Sequence, residues 1–272
     1  MSEKDAKIRK AVREAYGKVA QRTSSCCAPV QSSCCQPDAS QKSEAMGYAG
    51  ADLKEVPEGA NLGLGCGNPV ALASLKQGEI VLDLGAGAGF DCFLAAKKVG
   101  EKGRIIGVDM TPEMIDKARA NAEKGKYRNV EFRLGEIEHL PAADNSVDVI
   151  MSNCVINLAP DKGAVLKEAY RVLKPGGRLS ISDLALRNEL PAKIRNSIEA
   201  YVGCIGGAIL LEDYKAAVSD AGFKDVKFTI NNVVGIEDDS TKTQSEKKLK
   251  LNPGEYDILS SSVVSVYIEA RK

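Results

Sequence analysis

The 272-residue chain carries 37 lysines and arginines against 37 aspartates and glutamates, and 44% of its residues are hydrophobic. A formal net charge of zero leaves no electrostatic footprint for nucleic acid or an anionic lipid surface, and no apolar run approaches the roughly 18 residues of a membrane span. The length suits one large domain, or one domain with a small appendage.

Met1 to Arg13 is charged and polar, with no apolar signal-peptide core, so the cytosol is the expected location. Ala6 to Ala20 places Ile8, Val12, Ala15 and Val19 at helical spacing. Gln21 to Ser43, rich in Ser, Gln, Pro and Cys, reads as a mobile arm. Gly50 to Pro57 reads as a charged turn, and Pro69 opens a short helix, Val70 to Leu75.

From Glu79 strand and helix alternate. Ile80 to Leu84 is an apolar run of the kind found in a buried parallel strand, followed by a helix from Asp91 to Val99. Arg104 to Val108, Val130 to Leu134, Val147 to Ser152 and Arg178 to Leu184 supply four more strands. Thr111 is placed to cap a helix that Gly125 stops, and another helix, Lys162 to Leu173, ends at Lys174-Pro175-Gly176-Gly177. This alternation predicts a parallel α/β sheet covered by helices on both faces. Leu190 to Leu211 breaks the rhythm as a helical insert. The helix Leu211 to Ala221 resumes it, and Val226 to Asn232 with Ser262 to Glu269 reads as an antiparallel edge hairpin. The polar stretch Glu237 to Lys250 reads as a loose loop. The expected organisation is an N-terminal helix and Cys-rich arm (1–45), a Rossmann-like domain (46–185), an acceptor-binding insert with the sheet return (186–235), and a C-terminal loop and edge strand (236–272).

Val81-Leu82-Asp83-Leu84-Gly85-Ala86-Gly87-Ala88-Gly89-Phe90 runs from strand through glycine turn into helix, which brings a ligand close to the backbone. A dinucleotide fingerprint would put Gly or Ala where Phe90 stands. Asp83, entering the turn, repels pyrophosphate and attracts a cation. S-adenosylmethionine (SAM) carries an ammonium and a sulfonium and no phosphate, so charge favours it over a dinucleotide. Asp109, ending the second strand, can accept both ribose hydroxyls. Met110 would flank the adenine, Gly135, Glu136 and Ile137 would meet its edge, and Asn153 would lie near the methyl group. These strand ends, with Lys174-Pro175-Gly176-Gly177, resemble the class I SAM-dependent methyltransferases over about Leu75 to Arg271.

Eight cysteines accompany a single histidine, His139. Cysteines of a reduced compartment are core residues, metal ligands or reactive thiols, and a single histidine removes most His-containing zinc sites and argues against a Ser-His-Asp triad. Cys154 follows the fourth strand, Cys66 precedes the first, and Cys204 lies in the insert, so all three can meet over one cofactor. Cys92, inside a helix, reads as core. Three soft thiolates without a histidine or carboxylate partner suit a thiophilic ion. Structural zinc takes four ligands, whereas trivalent arsenic takes three in a pyramid and keeps a lone pair that needs no general base.

The motifs Gly63-Leu64-Gly65-Cys66-Gly67-Asn68-Pro69, Ser152-Asn153-Cys154-Val155-Ile156-Asn157-Leu158 and Cys204-Ile205-Gly206-Gly207-Ala208 together resemble the arsenite methyltransferase family, over about Tyr16 to Val234. The resemblance implies arsenite, or its glutathione conjugate, bound by Cys154 and Cys204, with Cys66 as third thiol and redox partner. It implies a further reactive cysteine in the arm, matched by either Cys26 or Cys27, and a disulfide relay re-reduced by thioredoxin or glutathione. Tyr48 resembles a family tyrosine that covers the cofactor; Cys34-Cys35 exceeds the family pattern. A monomer is expected. Two rival readings are a methyltransferase of an organic small molecule with incidental cysteines, and a non-catalytic trivalent metalloid binder. Asp83 and Asp109 argue against the latter, which needs no cofactor site. Zero net charge and the lack of aromatic platforms disfavour a nucleic-acid substrate.

Overall fold

The chain folds around a seven-stranded sheet of order β3-β2-β1-β4-β5-β7-β6. The strands are β1 Ile80–Leu84, β2 Arg104–Asp109, β3 Val130–Leu134, β4 Val147–Asn153, β5 Leu173–Leu186, β6 Lys224–Asn231 and β7 Val263–Arg271. The computed structural model describes residues 2–21, 39–231, 249 and 251–272. The first five strands pair in parallel, and β7 runs antiparallel to both β5 and β6. This is the α/β sheet with an antiparallel edge expected from the sequence.

β1 is central and covered on both faces, which explains its apolar run. Alternation sends Leu82 and Leu84 to one core, with Ile150, Leu166, Leu179 and Tyr214. Val81 points into the other, with Cys92, Phe93, Ile115 and Met151. Helices α5 (Phe90–Val99), α6 (Pro112–Lys124) and α7 (Lys162–Val172) cross between strands. Sheet order reverses between β1 and β4. Ligands of open α/β sheets bind beyond the carboxyl ends of strands at such a switch point. Leu84 pairs with Ser152 there, setting the glycine turn after β1 beside Asn153 and Cys154.

A third apolar cluster lies over this end of the sheet. It joins Val12 of α1 (Glu3–Gln21) to Leu184, Leu190, Ile194, Ala200, Cys204 and Tyr256. Arg9 of α1 is nine-tenths buried and ion-pairs with buried Glu138 at 2.8 Å.

Five local expectations change. Gly50–Glu55 is a helix rather than a turn, and its Leu53 packs on the second core. Ala39–Ala45 is also helical, so the arm reading ran too far. The opening at Pro69 gives only Pro69–Leu72, capped by the Asn68 side chain at 3.0 Å from the Ala71 amide. Pro253–Ser262 is a helix that the sequence reading left unassigned; Asn252 and Glu255 close a reciprocal capping box at its start. β5 already begins at Leu173 and absorbs the Lys174 to Gly177 segment.

Candidate active site

The switch point opens into a cavity of about 790 Å³. One wall is the turn after β1. Gly85 there has φ +71°, and a Cβ on it would stand 2.3 Å from Val155 Cγ2, so glycine is required both for the backbone and for the close approach of the β4 loop. The Gly87 amide donates to Asp109 Oδ2 at 3.0 Å, and the Thr111 amide donates to Oδ1 at 2.8 Å. Thr111 precedes α6 as expected of a cap, but its side chain makes no capping hydrogen bond.

Asp83, Asp91 and Asp109 line the same cavity. Asp83 is 2% exposed and accepts from the Cys92 thiol at 3.2 Å. Burial, then the charges of Asp91 and Asp109, hold its carboxyl well above the usual range. Asp91 is pushed up to about 6 by burial, although the Tyr48 hydroxyl (2.6 Å) and the Asn153 amide (3.2 Å) donate to it. Burial also raises Asp109, against its amide donors. Buried carboxylates that repel one another are stabilised by a cation. A ligand carrying an ammonium and ribose hydroxyls, and no phosphate, fits this wall.

The opposite wall carries thiols. Cys66, Cys154 and Cys204 all reach the cavity from different segments. Asn153 ties them to the first wall: its Oδ1 accepts from the Cys66 amide at 3.0 Å, and its Nδ2 donates to the Gly67 carbonyl at 2.8 Å. The Cys204 thiol donates to the Cys154 carbonyl at 2.9 Å. Hydrogen bonding to Cys204, then to Cys66, raises the Cys154 thiol well above its ordinary value. Burial raises that of Cys66. Cys154 (φ +58°) and Cys204 (φ +64°) are two of six non-glycine residues in the left-handed region among the described residues. Such backbone costs about 1–3 kcal/mol and persists where the surroundings impose it.

The methyltransferase-domain family matches residues 75–248. The crystal structure of an arsenic(III) S-adenosylmethionine methyltransferase from Chlamydomonas reinhardtii superposes with a TM-score of 0.63 at 34% identity, covering 87% of this chain and 75% of that one. The chain belongs to the arsenite methyltransferase family. Its fold is that of the class I SAM-dependent methyltransferases. An arsenite methyltransferase of Halobacterium salinarum is 47% identical over 271 residues, which cover 97% of this chain and 66% of the relative. The human arsenite methyltransferase is 36% identical over 243 residues, 86% of this chain and 63% of the relative. The chain thus spans about two thirds of the length of the curated relatives it matches.

Of the family-like residues singled out in the sequence, Cys66, Asp83, Gly85, Gly87, Asp109, Met110, Ile137, Asn153, Cys154 and Cys204 meet at the cavity. Tyr48 stands behind its wall, 3% exposed, with its ring 4.9 Å from that of Phe90. The Gly135 amide is bonded to the Asp109 carbonyl, and Glu136 faces Arg9 of α1 at 3.5 Å. Cys26, Cys27, Cys34 and Cys35 lie outside the described residues. Cys92 is fully buried in the core, as expected.

Sequence reasoning missed four groups. Asp91, one residue into α5, shares the Asp83 wall. Tyr16 and Glu138 line the cavity, Tyr16 from α1. Asp183, fully buried, has a carboxylate oxygen within 4.8 Å of the Cys66 and Cys154 sulfurs. The thiols therefore do have a carboxylate neighbour, contrary to the sequence reading. A lone acid inside the apolar run Ile181 to Leu186 is the signal that could have found it.

Proposed function

We propose that this protein is a SAM-dependent arsenite methyltransferase, which transfers methyl groups to trivalent arsenic held by Cys66, Cys154 and Cys204. The observation that carries the reading is the convergence of three thiols on the same cavity as the Asp83, Asp91 and Asp109 wall. Family membership and the names of the relatives support it.

When bound, S-adenosylmethionine supplies a methyl carbon activated by a sulfonium. On this reading Asp109 accepts the ribose hydroxyls, and Asp83 and Asp91 offset the ammonium. Gly85 and Gly87 leave room for the ligand against the backbone, and Met110 with Ile137 flanks the adenine.

Arsenite exchanges its hydroxyls for three thiols. Each exchange forms one As–S bond and releases one water, with the thiol proton leaving on the departing hydroxide. The product keeps a lone pair on arsenic, which needs no base to act as nucleophile. The chain's task is then alignment, to which oriented groups contribute strongly. Transfer would form the As–C bond and break the sulfonium–methyl bond, leaving S-adenosylhomocysteine and formally pentavalent arsenic. Two thiols, Cys66 with Cys26 or Cys27, then give up two electrons, forming a disulfide and returning arsenic to the trivalent state. Thioredoxin or glutathione reopens that disulfide by thiol exchange. The sequence-based division at about residues 45, 185 and 235 separates arm, cofactor half, acceptor insert and edge on this scheme, in a monomeric cytosolic enzyme. No described helix is long and apolar enough to cross a membrane.

The test is incubation with SAM, arsenite and a thiol, followed by chromatographic arsenic speciation. Wild type yields methylated arsenicals, and Cys66→Ser, Cys154→Ser and Cys204→Ser each lose them. Full turnover in the Cys154 and Cys204 variants overturns the reading. A Cys26 or Cys27 variant that stalls after one methylation supports the relay; unchanged progress in both removes it.

A further inference from the structure

We infer that Cys66, Cys154 and Asp183 form a second kind of site, a two-sulfur, one-oxygen site for a thiophilic divalent cation of the zinc and cadmium class. The inference does not rest on arsenic methylation; it reads a donor set that shares two thiols with the arsenic site and replaces the third with a carboxylate.

The two sulfurs and an Asp183 oxygen all lie within 4.8 Å of one another. In an open tetrahedral site, with three protein donors and water from the cavity in the fourth position, metal–sulfur distances of about 2.3 Å and metal–oxygen distances of about 2.0–2.2 Å put the donors roughly 3.5–3.8 Å apart. Small side-chain rotations close the difference. Cys66 and Cys154 open onto the cavity, which provides the path of entry.

Asp183 is held as metal-binding carboxylates are held. The Asn157 amide (3.0 Å) and the Leu184 N–H (2.8 Å) donate to its Oδ1. On Oδ2 the Tyr214 hydroxyl donates at 3.2 Å, leaving acceptor capacity toward the sulfurs. Asn157 and Tyr214 are themselves fully buried, so the carboxylate is oriented by a packed outer shell.

Charge points the same way. Once deprotonated, the two thiols and the carboxylate would carry three negative charges at the cavity wall, where the positive Lys162 acts on Asp183. A divalent cation brings the set to a single negative charge, and two thiol protons leave to solvent. Trivalent arsenic prefers a third sulfur to a carboxylate, whereas zinc and cadmium accept mixed sulfur and oxygen donors. The Cys204 thiol is turned to the Cys154 carbonyl and stands outside this set. Occupation by the cation removes two of the three arsenic thiols, so it competes with arsenite.

The test uses the reduced full-length chain with Cys26, Cys27, Cys34 and Cys35 replaced by serine, titrated with cadmium alone and followed by cadmium–thiolate charge-transfer absorption. One cadmium per chain is expected. Cys66→Ser, Cys154→Ser and Asp183→Asn each weaken it by at least the roughly 10–100-fold that losing a ligand's outer-shell partner costs, while Cys204→Ser leaves it unchanged. Arsenite binding shows the opposite pattern, lost with Cys204→Ser and kept with Asp183→Asn. Cadmium NMR on the background carrying no further substitution reports the donor set without relying on how the single variants fold. A shift characteristic of two sulfurs supports the site. A three-sulfur shift, absence of binding, or equal affinity in Asp183→Asn overturns it, whatever the outcome of the methylation assay.

Discussion

The Cys204 thiol donates a hydrogen bond to the Cys154 carbonyl at 2.9 Å, and both residues have left-handed backbone. This contact pins the insert to the loop after β4. Glycines make it possible: a Cβ at Gly207 would stand 2.0 Å from the Asn157 carbonyl oxygen, and one at Gly206 would stand 2.7 Å from the Tyr201 amide nitrogen. Gly207→Ala must therefore push the insert off the loop. We expect a loss of about 1–3 kcal/mol in stability, typical of overpacking. Arsenite affinity should fall much more than SAM affinity, because only the thiol side moves. Thermal denaturation with calorimetric titration of both ligands checks this; parallel losses would separate the contact from the thiol geometry.

Asp109 bridges two amides, from Gly87 and Thr111, with its two oxygens. The carboxylate shapes the glycine turn as well as facing the cavity. Asp109→Asn keeps one acceptor and loses the charge. A charge-assisted hydrogen bond contributes about 1.5–3 kcal/mol, so the SAM dissociation constant should rise roughly ten- to hundredfold. Equilibrium binding reads this directly. A change of less than about threefold would remove Asp109 from the cofactor site.

The Asp91 carboxyl is pushed up to about 6 from an ordinary value of 3.8. A raised carboxyl binds its proton more tightly in the folded state. Its contribution to stability is full below about 3.8 and is lost as pH rises through about 6. A cationic ligand binds the ionised form, so its affinity runs the other way. The rise in Tm on adding SAM should therefore grow between pH 5 and pH 7, with protons released on binding at the acid end. Asp91→Asn should flatten that growth. Titration in buffers of different ionisation enthalpy measures the proton release; proton uptake on binding would contradict the assignment.

The sheet and the cofactor half are legible in the sequence because their signals are local. Asp83 stands in an apolar strand run ahead of Gly85, and Asp109 closes the next strand. Both follow from the rule that ligands gather at strand ends. The thiol side is legible only through separate cysteines, Cys66 and Cys204 beside glycines and Cys154 just after the fourth strand. What escapes is whatever depends on burial. Asp91 has the sequence appearance of an ordinary acid in the first turn of a helix, and only packing against Tyr48 and Asn153 makes it a buried partner of Asp83. Asp183 meets Cys66 only because β5 lies beside β4 and Gly67 presses on Ser182, where a Cβ would stand 2.2 Å from the hydroxyl oxygen. Tyr16 lies far from Cys204 along the chain, yet its hydroxyl reaches the Val202 carbonyl at 3.3 Å once α1 docks.

That docking also buries Arg9. Its guanidinium is paired with Glu138 at 2.8 Å, and both side chains are at least nine-tenths buried. Val12, Ala15, Tyr16 and Val19 of the same helix line the cavity, so Arg9 holds a cover over both ligand walls. Removing one partner of a buried pair is costlier than removing both, because it strands a charge. The usual cost is about 3–5 kcal/mol. Arg9→Met should free α1 while leaving the sheet folded. Hydrogen exchange should then show protection lost in residues 3–21 and retained in β1 and β4, with faster SAM dissociation. Adding Glu138→Gln should recover part of the loss, since the carboxylate then left facing the vacated position, Glu136, is a third exposed and no fully buried charge is stranded. If the double variant is no better than Arg9→Met, the pair contributes packing rather than charge neutralisation, and the helix is held by its apolar face.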